Sequence, residues 1–149
     1  MEVLIKRIAN ESGAVPPMPF YATPGAAGMD ITANITEPLL LKKGAMAKIP
    51  TGIAICLPDE TCVAYLYARS GLGVRHGICL SNGVGVVDSD YRGEICVGLI
   101  NLGPEDYTIK PGERIAQMVF APVLHGDLTE VSELPESGRG DGGFGSTGR

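Results

Sequence analysis

The chain has no tryptophan, two histidines and four cysteines, and each scarcity removes a class of chemistry. Cys56, Cys62, Cys79 and Cys96 form no Cys-x-x-Cys pair, and each lies in an apolar run. They read as reduced core thiols rather than disulfides or zinc ligands, which fits a cytoplasmic protein. His76 lies in a glycine-flanked turn and His125 precedes Gly126, so a zinc site or a Ser-His-Asp triad is poorly supplied. Any catalysis then falls to carboxylates, with a hard metal ion as their natural companion. Positive charge is also short: the formal net charge is -5. That argues against nucleic acid as the main partner. It leaves room for a small phosphate compound held by a few well-placed cations. No segment approaches the ~18 consecutive apolar residues of a membrane span. The opening Met1-Glu2-Val3-Leu4-Ile5-Lys6-Arg7 lacks the layout of a signal peptide. Sustained helical periodicity is missing as well.

What the chain has in quantity is punctuation. Its 21 glycines and 11 prolines recur between short apolar runs, the pattern of an all-β barrel or sandwich. The runs predict strands over Val3–Arg7, Met29–Ala33, Leu39–Leu41, Ala45–Ile49, Gly52–Leu57, Cys62–Ala68, Ile78–Leu80, Glu94–Asn101, Arg114–Pro122 and Asp127–Val131. An apolar segment over Gly83–Val87 adds a further strand leading into a polar turn. At most one helical turn is expected after Arg69-Ser70. Near-continuous apolar runs such as Ile53–Leu57 imply burial on both faces or at an oligomer interface. Composition shifts near Ser132, which divides a domain over 1–131 from an arm over 132–149.

Six of the last twelve residues are glycine, yet the segment carries Arg139, Phe144, Ser146 and Thr147. It cannot bury enough apolar surface to fold alone. It is either a soluble tail or a flap that orders over a nucleotide, with glycine backbone N–H groups turned towards phosphate. Four further segments pair a turn with reactive groups. Gly83-Val84-Gly85-Val86-Val87-Asp88-Ser89-Asp90-Tyr91-Arg92-Gly93 runs an apolar strand into carboxylates and a tyrosine. It is a plain turn, or the lip of a site where one Asp takes a proton from water and Tyr91 packs on a sugar. Arg69-Ser70-Gly71-Leu72-Gly73 sets a cation and a hydroxyl at a strand end. Asp30 follows Gly28-Met29, and Gln117 interrupts an apolar strand after Gly112-Glu113-Arg114-Ile115-Ala116. Each of these is individually explicable as a turn acid or a structural amide.

The five segments in this order resemble the trimeric dUTPases (dUTP pyrophosphatases) over nearly the whole chain. The departures are small: Met29 replaces the usual aromatic residue, and Ala68 stands where proline is common. The resemblance implies a jelly-roll-like β-barrel with a flexible Gly-rich C-terminal arm, assembled as a homotrimer whose sites draw on more than one subunit. It implies hydrolysis of dUTP to dUMP and pyrophosphate, which limits uracil entry into DNA and supplies dUMP for thymidylate synthesis. Asp88 would orient and deprotonate the water that attacks the α-phosphorus. Mg²⁺ would be held mainly by the phosphates and water, with Asp30 acting through water. Arg69, Ser70, Gly71 and Gln117 would hold phosphate oxygens. Arg139, Gly145, Ser146 and Thr147 would close on the terminal phosphate, and Phe144 would stack on uracil. Asn82 and the hairpin backbone would read the uracil edge, and Tyr91 would exclude a ribose 2′-hydroxyl. Asp90 and Arg92 would hold the turn or bridge subunits. The rival in the same fold is a dCTP deaminase, for which Glu94 is the nearest proton donor. A nucleotide-binding module without chemistry is the rival of another class.

Overall fold

A computed structural model of the chain describes residues 1–143 and Ser146. The order is β1 (Leu4–Arg7), β2 (Met29–Thr32), β3 (Leu39–Leu41), β4 (Met46–Cys56), β5 (Cys62–Ala68), α1 (Ser70–His76), β6 (Ile78–Leu80), β7 (Gly85–Val87), β8 (Ile95–Asn101), β9 (Tyr107–Ile109) and β10 (Arg114–Pro122). One four-stranded sheet runs β1-β4-β8-β6, a second runs β2-β10-β5-β7, and β3-β9 make a short third. All pairings are antiparallel. The architecture is the expected all-β, jelly-roll-like barrel.

Alternation along the strands builds the core. On β8, Ile95, Val97, Leu99 and Asn101 point inward while Cys96, Gly98 and Ile100 face outward. Ile31, Ile49, Ile53, Ile78, Ile109, Ile115 and Met118 close the space between the sheets. Met29 is buried among them, and it also lines a cavity of about 430 Å³ with Ile5, Ile55, Met118 and Phe120. The core also holds one polar hub. Asn101 Nδ2 donates to the carbonyls of Leu41 and Glu105 at 2.9 and 2.8 Å, and its Oδ1 accepts the Gly103 N–H at 2.9 Å.

Several expectations needed correction. Ala45–Ile49 and Gly52–Leu57 are one strand, because a β-bulge between Pro50 and Ile53 absorbs the proline and glycine that suggested a break. At the bulge Gly52 has φ +67°, and a Cβ there would sit 2.7 Å from the Ile8 carbonyl. Helix α1 spans seven residues rather than one turn; its buried Leu72 anchors it, and Gly77 at φ 69° ends it. Strand β9 was not foreseen. Asp127–Val131 forms no strand: these residues are exposed, and the last pairing is Val123 N–H to the Thr61 carbonyl at 2.8 Å. The four cysteines are free but half-buried rather than core, because each stands at a strand end or on an outward-facing position. No helix among the described residues is long and apolar enough to cross a membrane.

Candidate functional site

The sequence-derived residues gather in two places. The first is the end of the β2-β10-β5 sheet. Strand β10 lies between β2 and β5, and its register sets Gln117 opposite Asp30 on one side and Tyr67 on the other. Arg69, just past the end of β5, turns back over this row. Its Nε donates to Asp30 Oδ1 at 2.7 Å, and its Nη2 reaches Oδ2 at 3.5 Å. Arg114 Nη1 donates to the same Oδ2 at 3.0 Å, and the Arg114 carbonyl accepts Arg69 Nη1 at 3.3 Å. Two permanent cations therefore share one carboxylate, and one positive charge is left over. Gln117 Nε2 donates to the Ala68 carbonyl at 3.0 Å, so its plain structural bond exists and its Oε1 faces the same end of the sheet as Gly28. Ser70 and Gly71 are exposed at the start of α1, and a Cβ on Gly71 would meet nothing within 4 Å. The backbone there is open to a ligand.

The second place is the turn after β7. Asn82, Asp88 and Tyr91 line one cavity of about 260 Å³, together with Leu66, Lys48 and Cys96. The turn is self-supporting. The Asp88 carbonyl accepts the Tyr91 N–H at 3.2 Å. Arg92 Nη1 donates to the carbonyls of Ser89 and Tyr91 at 2.6 and 3.0 Å, so Arg92 clasps the turn, one of its two expected roles. Tyr91 donates its hydroxyl to the Glu94 carbonyl at 3.0 Å. Glu94 Oε1 accepts the Gly52 N–H at 2.7 Å and ties the hairpin to the β4 bulge. That bond gives Glu94, the proton donor a deaminase would need, a structural role between the hairpin and β4. Burial, aided by the Glu94 carboxylate and opposed by Lys48, pushes the Cys96 thiol up, so the pocket wall carries no thiolate nucleophile.

These two places do not meet within one chain. Val87 pairs with Ala64, and Asp88 lies beyond that pair, beside Cys62 and Val63. Arg69 lies beyond Ala68, at the other end of β5. Six residues of strand separate the two levels, about 20 Å at the usual rise. A triphosphate is shorter than that.

The arm contributes a third group. Arg139 Nε donates to the Gly142 carbonyl at 2.7 Å, and Ser146 N–H to the Gly143 carbonyl at 3.1 Å. Both are local contacts that reach neither cluster. Phe144, Gly145 and Thr147 lie outside the described residues.

Three participants escaped the sequence reading: Arg114, Lys48 and the Glu94 tie to Gly52. Arg114 had a signal, since it sits three residues before Gln117 in the motif already singled out. Lys48 had none, because it belongs to a strand remote in sequence from the hairpin.

Among the described residues, no group of three or more His, Cys, Asp or Glu side chains could hold a metal ion. Both oxygens of Asp30 already accept from guanidiniums.

A family model described as dUTPase matches residues 16–148. The deoxyuridine 5'-triphosphate nucleotidohydrolase of Desulfitobacterium hafniense is 55% identical over 133 residues, covering 89% of this chain and 88% of that protein. Its counterpart from Hahella chejuensis is 51% identical over 148 residues, covering 99% and 95%. The solved dUTPase of Staphylococcus bacteriophage 80alpha with dUPNHPP superposes with a TM-score of 0.85 at 26% identity, covering 99% of both chains. Motif order, barrel and relatives agree: the chain belongs to the dUTPase family.

Proposed function

We propose that this protein hydrolyses dUTP to dUMP and pyrophosphate in sites shared between copies of a homotrimer. The observation that carries the reading is the division of labour described above. One end of the second sheet offers a surplus of positive charge and open backbone but no free base. The hairpin offers an exposed carboxylate beside a nucleoside-sized cavity, with Lys48 as the cation on its wall. With about 20 Å between them in one chain, a triphosphate can use both only if a second copy brings its own Arg69 cluster to this chain's hairpin. The relatives act on, and the phage structure holds, molecules with just these two parts: a deoxyuridine and a triphosphate.

Within such a site Asn82 and the hairpin backbone bond the uracil edge, and Tyr91 lies against the deoxyribose. Arg69, Ser70, Gly71 and Gln117 hold phosphate oxygens, which compete with Asp30 for the Arg69 guanidinium. Arg139, Gly145, Ser146 and Thr147 close over the terminal phosphate, with Phe144 on the base. That gives residues 132–149 a function no core requires of them. Asp88 accepts the proton of the attacking water as an O–P bond forms at the α-phosphorus and pyrophosphate leaves. General-base assistance of this kind contributes roughly 10²–10⁴ in rate. Mg²⁺ suits this donor set only as an ion carried in on the phosphates, because Asp30 can reach it through water but cannot cage it. When bound it neutralises phosphate charge as pyrophosphate departs. Removal of dUTP limits uracil incorporation into DNA and the dUMP formed feeds thymidylate synthesis, in keeping with a cytoplasmic protein that binds neither membrane nor nucleic acid.

Incubation with Mg²⁺ and dUTP, dCTP, dTTP or UTP in turn tests the assignment. Pyrophosphate from dUTP alone is the expected result. Ammonia from dCTP would establish a deaminase, and no product from any of the four would establish a binding module. Solution mass tests the trimer separately.

A further inference from the structure

The Tyr91 ring folds back over the residue two places later. A Cβ built on Gly93 would stand 2.6 Å from Tyr91 Cζ and closer still to its hydroxyl oxygen. Nothing else about Gly93 demands glycine, since it is absent from the residues with positive φ and the backbone there accepts a side chain. The ring rests in the space a side chain would occupy. From that seat its hydroxyl reaches the Glu94 carbonyl at 3.0 Å, and Glu94 is itself fixed to the Gly52 N–H at 2.7 Å. The tyrosine is thus connected to the β4 bulge through two hydrogen bonds, and the vacancy over Gly93 is what lets it connect.

We infer that Gly93 is a positioning residue for sugar selection: its missing side chain sets how far the Tyr91 ring enters the nucleoside cavity. The inference rests on the reading of Tyr91 as the wall that meets the deoxyribose. Tyr91 is 45% exposed, so an alanine methyl would drive the ring off its seat over Gly93 rather than break the core. The ring would lose its bond to Glu94 and vacate the space in which a 2′-hydroxyl is refused. Stability and selectivity should therefore separate. A residue needed only for folding would move both together.

The experiment measures kcat and KM for dUTP and UTP, with a thermal melt, for the wild type, Gly93→Ala, Tyr91→Ala and the double variant. Gly93→Ala is expected to melt close to the wild type, to raise KM for dUTP more than it lowers kcat, and to reduce the dUTP-to-UTP ratio of kcat/KM by about tenfold or more. The double variant should match Tyr91→Ala, because the ring that clashes is gone. If Tyr91→Ala loses selectivity while Gly93→Ala keeps it, the Gly93 inference is overturned and the tyrosine reading stands. If Tyr91→Ala keeps selectivity, the sugar-wall reading fails and takes the inference with it. A loss in the double variant well beyond that of Tyr91→Ala would also overturn it. So would a Gly93→Ala chain that cannot fold even with Tyr91 removed.

Discussion

Around Asp30, side chains from three strands are held by charge. Arg69 follows β5, Arg114 opens β10, and both reach a carboxylate on β2. Around Asp88 the geometry comes from one short stretch of chain, whose carbonyls are clasped by Arg92 and whose Tyr91 is tied to Glu94. The first arrangement depends on long-range register and can be rearranged by a competing anion. The second is local, and among the described residues its acid has no hydrogen-bond partner, since the turn uses the Asp88 carbonyl rather than its carboxylate. The proposed roles, binding groups that exchange partners and a base that stays free, call for different constructions. The molecule keeps them at opposite ends of β5.

Removing the residues from Gly138 onward takes away the part that belongs to neither construction and should have the largest effect. Turnover of dUTP is expected to fall by about 10³ or more, the scale of losing an arginine that stabilises transferring phosphate. The melting temperature should hold, because residues 131–143 are almost wholly exposed. Full activity of the truncated chain would dismiss the arm as a lid. Next, Asp88→Asn keeps the turn and removes the base. A fall in kcat of ~10² or more with little change in KM is expected, and near-normal turnover would leave the hairpin a binding element only. Arg69→Gln strikes the other end. Loss of a charge-assisted bond to phosphate should raise KM roughly ten- to a hundredfold, with kcat less affected. A pure kcat defect there would erase the contrast between the two ends.

The smallest effect concerns the support beneath the charged end. Tyr107 donates its hydroxyl to Glu113, the neighbour of Arg114, and its ring packs 4.8 Å from His76. Burial first, then the Glu113 carboxylate, pushes the Tyr107 hydroxyl up from 10.0 to about 12. The folded state thus holds this proton more tightly than the unfolded state does. The stabilisation is complete below pH 10 and fades as pH rises towards 12. Denaturant melts across that window should show a slope for the wild type that flattens in Tyr107→Phe. An unchanged slope would detach Tyr107 from the effect.

Much of this was legible in the sequence because β-proteins advertise their turns. Glycine and proline marked most strand ends, and the apolar runs between them placed strands such as the one over Glu94–Asn101. The failures have specific causes. Pro50 and Gly52 looked like a break because a bulge and a turn use the same residues. Helix α1 carries Gly71 and Gly73, poor helix formers, and is fixed by Leu72 and the Gly77 cap, which are tertiary and conformational facts. Asp127–Val131 has strand-like composition but finds no edge to pair with in its own chain. Within the site, Asp30, Asp88 and Arg69 were each ambiguous alone and were singled out by the order of their motifs, and their distances were hidden, because register across β2, β10, β5 and β7 decides them. Arg114 was overlooked because a charged residue opening a strand looks like ordinary surface.

The span of β5 between the acid and the guanidinium also has a consequence for mixtures. A chain crippled at Asp88 and one crippled at Arg69 carry opposite defects. With sites shared between copies as proposed, co-assembly would form a junction that takes its sound acid from one parent and its sound cation from the other. The two weakened preparations, unfolded together and refolded as a blend, should recover part of what each had lost, whereas either refolded alone keeps its defect.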